Sequence, residues 1–329
     1  MATLTLKGIW RHLSSYLSSD IIPRSSHSLN VVGNKVFVFG GEHDSRIPIS
    51  NNFIVYDLKE SKWSTIENKG DPMNVPSRRV AHSSCFLNNK IYIFGGRVGI
   101  GMGEGSFNDL YEFDTLTHNW KLLNDGKSED SPLARSYHAM TSLNNRLYVF
   151  GGCAKNRLND LHCYDLTKNK WNSLAQDERI AARGGSSICS YKNKDDGQEY
   201  IYVIGGFSGK EQDDCFVYNV QNNSWSQIAS LPKGLSVFAS ASVDGNNDFR
   251  LIVHGGEIGP SKEGHKSAGE FSSDTFVYNG ENWIKIESEN TPIPRAWHAG
   301  NYSDGKFYIY GGMLENSDRA ADLLALEFN

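Results

Sequence analysis

A Gly-Gly pair closing a short apolar run occurs six times along the chain, at Gly40-Gly41, Gly95-Gly96, Gly151-Gly152, Gly205-Gly206, Gly255-Gly256 and Gly311-Gly312. The second glycines lie 55, 56, 54, 50 and 56 residues apart. A period of this length is that of one small four-stranded sheet repeated in an array. The runs before the glycines, at 36–39, 91–94, 147–150, 200–204, 251–253 and 307–310, are short and rich in β-branched and aromatic residues, so they read as buried strands. Downstream stand an aromatic residue and a tryptophan: Tyr56 with Trp63, Phe113 with Trp120, Tyr164 with Trp171, Tyr218 with Trp225, and Tyr278 with Trp283. That spacing suits two strands joined by a tight turn. Gly33-Asn34, Asn88-Asn89, Asn144-Asn145 and Asp304-Gly305 supply further turns, and almost nothing reads as helix.

Sheets of this size bury their faces by stacking around an axis, which makes the expected fold an all-β, six-bladed β-propeller. The sixth repeat ends at 322–328 without a tryptophan strand, whereas Trp10 stands alone ahead of the first repeat. The N-terminal strand is therefore expected to pair with the last blade, closing residues 1–329 into a single domain. Lys plus Arg total 33 against 38 Asp plus Glu, a net charge of −5. Nucleic acid and anionic membrane surfaces are thus poor partners. No apolar run approaches the ~20 residues of a membrane span, and Met1 to Trp10, interrupted by Thr3, Thr5, Lys7 and Gly8, does not read as a secretion signal. Five cysteines at irregular spacing, with no Cys-x-x-Cys pair, fit a reducing, cytoplasmic setting.

In an up-and-down blade the innermost strand begins where the Gly-Gly strand finishes, so both sets of termini meet at one mouth. Five of the six inner strands open with Arg: Arg24, Arg79, Arg135, Arg183 and Arg295, with Leu235 in the fifth blade. These arginines either bridge blades through carbonyls or converge as an anion-binding surface. Two places on stand Ser26, Ala81, Tyr137, Gly185, Val237 and Trp297. Tyr137 and Trp297 either wall an apolar pocket or plug the channel. The recurring His27, His82, His138 and His298 read as hydrogen-bonded structural residues, because one ligand cannot use equivalent copies in several blades. The loops after Gly-Gly vary in length, as a function-bearing rim does. The second, 97–107, is glycine-rich without being a phosphate loop.

Hydrophobic strand, Gly-Gly, aromatic-acid and tryptophan, repeated in phase, resemble the kelch repeat over essentially the whole chain. Pro23-Arg24-Ser25-Ser26-His27, Gly95-Gly96-Arg97, Ser236-Val237-Phe238-Ala239, Gly255-Gly256-Glu257 and Ile293-Pro294-Arg295-Ala296-Trp297 resemble, within that class, the plant nitrile-specifier, epithiospecifier and thiocyanate-forming proteins. That resemblance implies a ferrous ion held in the pattern Glu-x-x-x-Asp-x-x-x-His. Glu257 and His265 match its outer positions, but Ser261 occupies the middle one, and a hydroxyl replaces a carboxylate poorly as an iron ligand. The resemblance also implies a sulfate-holding role for Arg97 and pocket walls from Tyr137, Phe238 and Trp297. The expected function is binding of a protein or a small anionic molecule at an arginine-rich mouth formed by Arg97, Arg135, Tyr137, Phe238, Arg295 and Trp297. The alternatives are an iron-dependent specifier factor directing aglucone breakdown to nitriles, and a sugar-acid epimerase or mutarotase using an acid and a base among Glu42, His43, Glu257 and His265.

Overall fold

Each Gly-Gly run lies second in its sheet, hydrogen-bonded on both edges and buried on both faces, which is why it is apolar at nearly every position rather than alternating. The structure, a computed structural model, describes residues 6–14, 21–69, 71–194, 196–243, 250–263 and 267–328. From the axis outwards, the first blade comprises Ser28–Val32, Lys35–Phe39, Phe53–Asp57 and Lys62–Ile66. The next four repeat this order, their inner strands being Ser83–Leu87, Ala139–Leu143, Ser187–Lys192 and Ala239–Ser242. Six such sheets form the propeller.

The aromatic and tryptophan of each repeat stand directly opposite one another across the outer strand pair: Tyr56 with Trp63, Phe113 with Trp120, Tyr164 with Trp171, Tyr218 with Trp225, and Tyr278 with Trp283. Their rings lie 4.8 to 5.3 Å apart, the separation at which aromatic pairs gain energy beyond their area. In the sixth blade the strand Lys7–Ser14 takes the outer place, with Trp10 opposite Leu326. Trp10 is buried against His254 and Phe307 at the junction of the fifth and sixth blades. The closure expected from the sequence is therefore present. A further strand, Glu287–Glu289, pairs in parallel with Lys7–Ile9 and covers the open edge. It comes from the linker between the last two blades and carries no strand signature.

Joining between blades explains the second glycine. Its N–H donates to the carbonyl that opens the next blade's inner strand: Gly41 to Arg79, Gly96 to Arg135, Gly152 to Arg183, Gly206 to Leu235, Gly256 to Arg295 and Gly312 to Arg24, at 2.8 to 3.1 Å. These glycines have φ of +92 to +105°, and a Cβ on Gly41 would stand 2.7 Å from the Ser25 carbonyl oxygen. Only glycine fits there.

Candidate functional site

The mouth is floored by a closed ring of backbone hydrogen bonds. Ser26 N–H donates to Trp297 O, Trp297 to Val237, Val237 to Gly185, Gly185 to Tyr137, Tyr137 to Ala81, and Ala81 back to Ser26, all at 2.8 or 2.9 Å. Every member has a positive φ between +48 and +63°, although five are not glycine. For Val237 in particular this is a costly conformation, of the kind that persists where surrounding contacts over-determine it. Below the ring, a channel of about 1190 Å³ is lined by the inner strands and opens on the opposite face, rich in Ser28, Ser84, Thr141, Ser187 and Asn301.

Above the ring, the wall is the residue that follows each Gly-Gly: Glu42, Arg97, Cys153, Phe207, Glu257 and Met313. Each is bridged to the residue ahead of a ring member. Between the third, fourth and fifth blades this wall leaves a cavity of about 240 Å³, lined by Tyr137, Cys153, Arg157, Phe207, Val237 and Glu257 above Gly184 and Gly185. Arg157 stacks on Phe207, 4.8 Å from the ring centroid, and forms no ion pair among the described residues. Arg97 stacks on Tyr137 at 5.2 Å and donates to Gly101 O at 2.9 Å, while its buried Nε meets no acceptor among the described residues. Burial, reinforced by Glu42, pushes the Tyr137 hydroxyl up to about 12, so it stays a neutral donor. Burial, with Glu211 beside it, pushes Glu257 up to about 7. Desolvation raises Glu211 as well.

Several expected site residues lie elsewhere. Arg135 and Arg295 do not reach the mouth, which corrects the converging cluster of guanidiniums expected of them. Arg135 is fully buried, donating to Gly151 O at 3.0 Å and to both carboxylate oxygens of Asp160 at 2.6 and 2.9 Å. Arg295 treats Gly311 O and Asp322 in the same way, as Arg79 treats Gly95 O and Asp109. Each guanidinium thus braces its own blade, and only the backbone carbonyl bridges to the neighbour. The fifth blade, with Leu235 in place of Arg, neutralises its Asp274 with Lys233 and Lys285 instead. Phe238 also turns away from the mouth: it occupies the place of the recurring histidines and packs with Leu235, Cys215 and Val253 in the core. The histidines are structural, His27 donating to Tyr310 O, His138 to Phe94 O and His298 to His254 O, each at 3.1 Å. Trp297 and Tyr137 do sit at the mouth, where Trp297 packs edge-on against Phe271 at 5.7 Å.

Glu42 accepts from Ser26 Oγ at 3.0 Å and from the Arg46 N–H, His43 lies 3.1 Å from Pro23 O, and neither lines the cavity that Glu257 lines. His265 lies outside the described residues. Glu257 and Ser261 both line the cavity, but the Ser261 hydroxyl is engaged by Ser267 and by the Glu263 N–H. Among the described residues no three His, Cys, Asp or Glu side chains gather to hold a metal ion. Of the expected Glu257, Ser261 and His265 set, the described residues thus offer one carboxyl and a committed hydroxyl, which by themselves do not make a ferrous site.

Sequence reasoning gave no site role to Arg157, Phe207 or Cys153, and placed Gly185 at the mouth without assigning it one. The signal for Arg157 was the brevity of the third loop: the Gly-Gly strand runs on to Cys153, pairs it with Arg157, and so carries that arginine to the rim.

The Kelch-repeats domain described for KLHDC2/KLHL20/DRC7 matches residues 26–256. A Thlaspi arvense protein named N-(sulfonatooxy)prop-2-enimidothioate sulfolyase is 29% identical, over 99% of this chain and 98% of its own. The Drosophila melanogaster leucine-zipper-like transcriptional regulator 1 homolog is 26% identical over 93% of this chain, and human kelch domain-containing protein 10 is 27% identical over 76%. The alignments span 31% and 56% of those two proteins.

Proposed function

This chain belongs to the Kelch-repeat family, and on that scaffold we propose that its mouth cavity binds a small organic anion, with the charged head against Arg157, the apolar body along Tyr137, Phe207 and Val237, and Arg97 adding positive charge from behind the Tyr137 wall. The observation that carries this reading is Arg157. Arg79, Arg135, Arg183 and Arg295 are each neutralised by an aspartate of their own blade, while Arg157 lines a cavity with no acid paired to it among the described residues. Glu257 lines the same cavity without pairing with Arg157, and burial raises the cost of its ionisation there. A cation left in a low-dielectric recess favours an incoming anion. The test is calorimetric titration with phenyl sulfate, using phenol as the uncharged control. Binding of the sulfate alone, lost in Arg157→Ala, supports the reading, and equal binding of both compounds overturns it.

The full-length likeness to the Thlaspi arvense sulfolyase favours a second reading, in which the anion is a sulfonatooxy imidothioate and the chain acts on it. Incubation with N-(sulfonatooxy)prop-2-enimidothioate, with product analysis against a protein-free control, decides it. A protein partner at the same face is the other occupant, supported by the exposed Ile47, Val98, Ile100 and Met102 on the first two rim loops. Retention of phenyl sulfate binding with no dependence on Arg157 or Arg97 would point there.

A further inference from the structure

The cavity is floored by bare backbone at Gly184 and Gly185. At the ring position the other blades carry Ser26, Ala81, Tyr137, Val237 and Trp297, and at the preceding position Ser25, Val80, Ser136, Ser236 and Ala296. Only the fourth blade has glycine at both, Gly184 and Gly185. Backbone conformation does not demand them. Gly185 has φ of +63°, a region its five equivalents occupy with side chains, one of them Trp, and Gly184 is not in the left-handed region at all. Space does demand them: a Cβ on Gly185 would stand 2.7 Å from Val237 Cγ1, and one on Gly184 2.7 Å from Cys153 Sγ. Val237 and Cys153 are themselves walls of the cavity. The glycines therefore let Val237 and Cys153 close directly onto the floor, and these two walls, with Tyr137 and Phe207, set the width of a slot that Arg157 also lines.

We propose that the Gly184-Gly185 step is the size-selecting floor of the mouth cavity, admitting a slender apolar tail whose anionic head remains at Arg157. This rests on the anion-binding reading above and adds the shape of the ligand to it: a permanent monoanion, such as a sulfate ester, on an unbranched chain. Each methylene entering the slot leaves water for an apolar wall, which raises affinity about fourfold per methylene.

The experiment uses the full chain and compares methyl, butyl and 3-methylbutyl sulfate by calorimetry in wild type, Gly184→Ala and Val237→Ala, each first checked for an unchanged melting temperature. Three added methylenes give a butyl-to-methyl affinity ratio of up to about 60 in wild type. In Gly184→Ala that ratio collapses toward one, because the new methyl group displaces Cys153 into the slot. Val237→Ala widens the slot, so the branched sulfate gains on the linear one. Should Gly184→Ala not fold, the Val237→Ala comparison alone decides. A wild-type ratio near one, or ratios unchanged in the variants while methyl sulfate still binds and still depends on Arg157, overturns the size-selecting floor and leaves the anion site standing. Failure of every sulfate to bind overturns both.

Discussion

The backbone N–H of Ser26 donates to the carbonyl of Trp297 at 2.9 Å, joining the first blade to the last. It is one of six equivalent links around the axis, and its neighbour, Gly312 N–H to Arg24 O at 2.8 Å, closes a second circle further out. Both circles require the sixth blade to stand in register. The N-terminal strand ensures that by filling the outer edge of this blade and anchoring Trp10 against His254. Ring closure and the geometry of the mouth are thus one structural event.

Truncation of Trp10 tests that coupling. Trp10→Ala should destabilise the protein by about 3 to 5 kcal/mol, the range for a buried aromatic removed without collapse of its cavity. Chemical unfolding followed by circular dichroism measures it. A midpoint indistinguishable from wild type would show that the last blade holds without its N-terminal strand.

Two arginines of the third blade should behave in opposite ways. Arg135→Ala leaves Asp160 without its fully buried partner and should cost about 3 to 5 kcal/mol of stability. Arg157→Ala should leave the melting temperature almost unchanged and weaken an organic sulfate by about 1.5 to 3 kcal/mol, the worth of a charge-assisted hydrogen bond. Differential scanning fluorimetry and calorimetry on the same two variants separate the effects. Loss of stability in both would remove the distinction between bracing and binding arginines.

Acid should unfold the ring earlier than its carboxylates alone require. Burial holds His27, His138 and His254 down to about 3, and holds His82 and His298 well below the ordinary histidine value. An unfolded chain takes up protons on these rings below about 6.5 while the folded one refuses them. Their contribution is therefore complete above 6.5 and is lost as the pH falls toward 3, by up to about 1.4 kcal/mol per pH unit for each ring. Urea unfolding between pH 7.5 and 5 reads this in a window where most carboxylates stay ionised, and a flat profile there would contradict it.

Ferrous ion should bind weakly or not at all to the wild type under anaerobic conditions, and Ser261→Asp should strengthen it by adding a carboxylate beside Glu257. Stoichiometric binding in the wild type, abolished by Glu257→Ala, would show that residues beyond the described ones complete a site.

Much of the fold was legible because its signals are local. A Gly-Gly period near 55 residues, an aromatic and a tryptophan seven residues apart, and a stray tryptophan at the N-terminus are read along the chain. They correspond to a second strand buried on both faces, to cross-strand pairs and to ring closure. The edge strand Glu287–Glu289 was not legible, because its polar sequence pairs only where a neighbouring edge happens to lie open.

The sequence by itself determined the six blades, their closure and the end of the ring at which inner strands and rim loops meet, since these follow from short apolar runs recurring at a fixed period and from glycines that no other residue can replace. Only the tertiary structure decided which groups face that mouth. Arg135 and Arg157 lie in one blade, but the first is claimed by an aspartate 25 residues away, and the second is brought to the rim by pairing with Cys153, where its strand runs one residue past the Gly-Gly pair. Gly185 and Gly206 look alike as letters. One lets Val237 of the next blade close onto the cavity floor and the other permits a hydrogen bond to the next blade, because the role of an absent side chain is set by what stands 2.7 Å away in space.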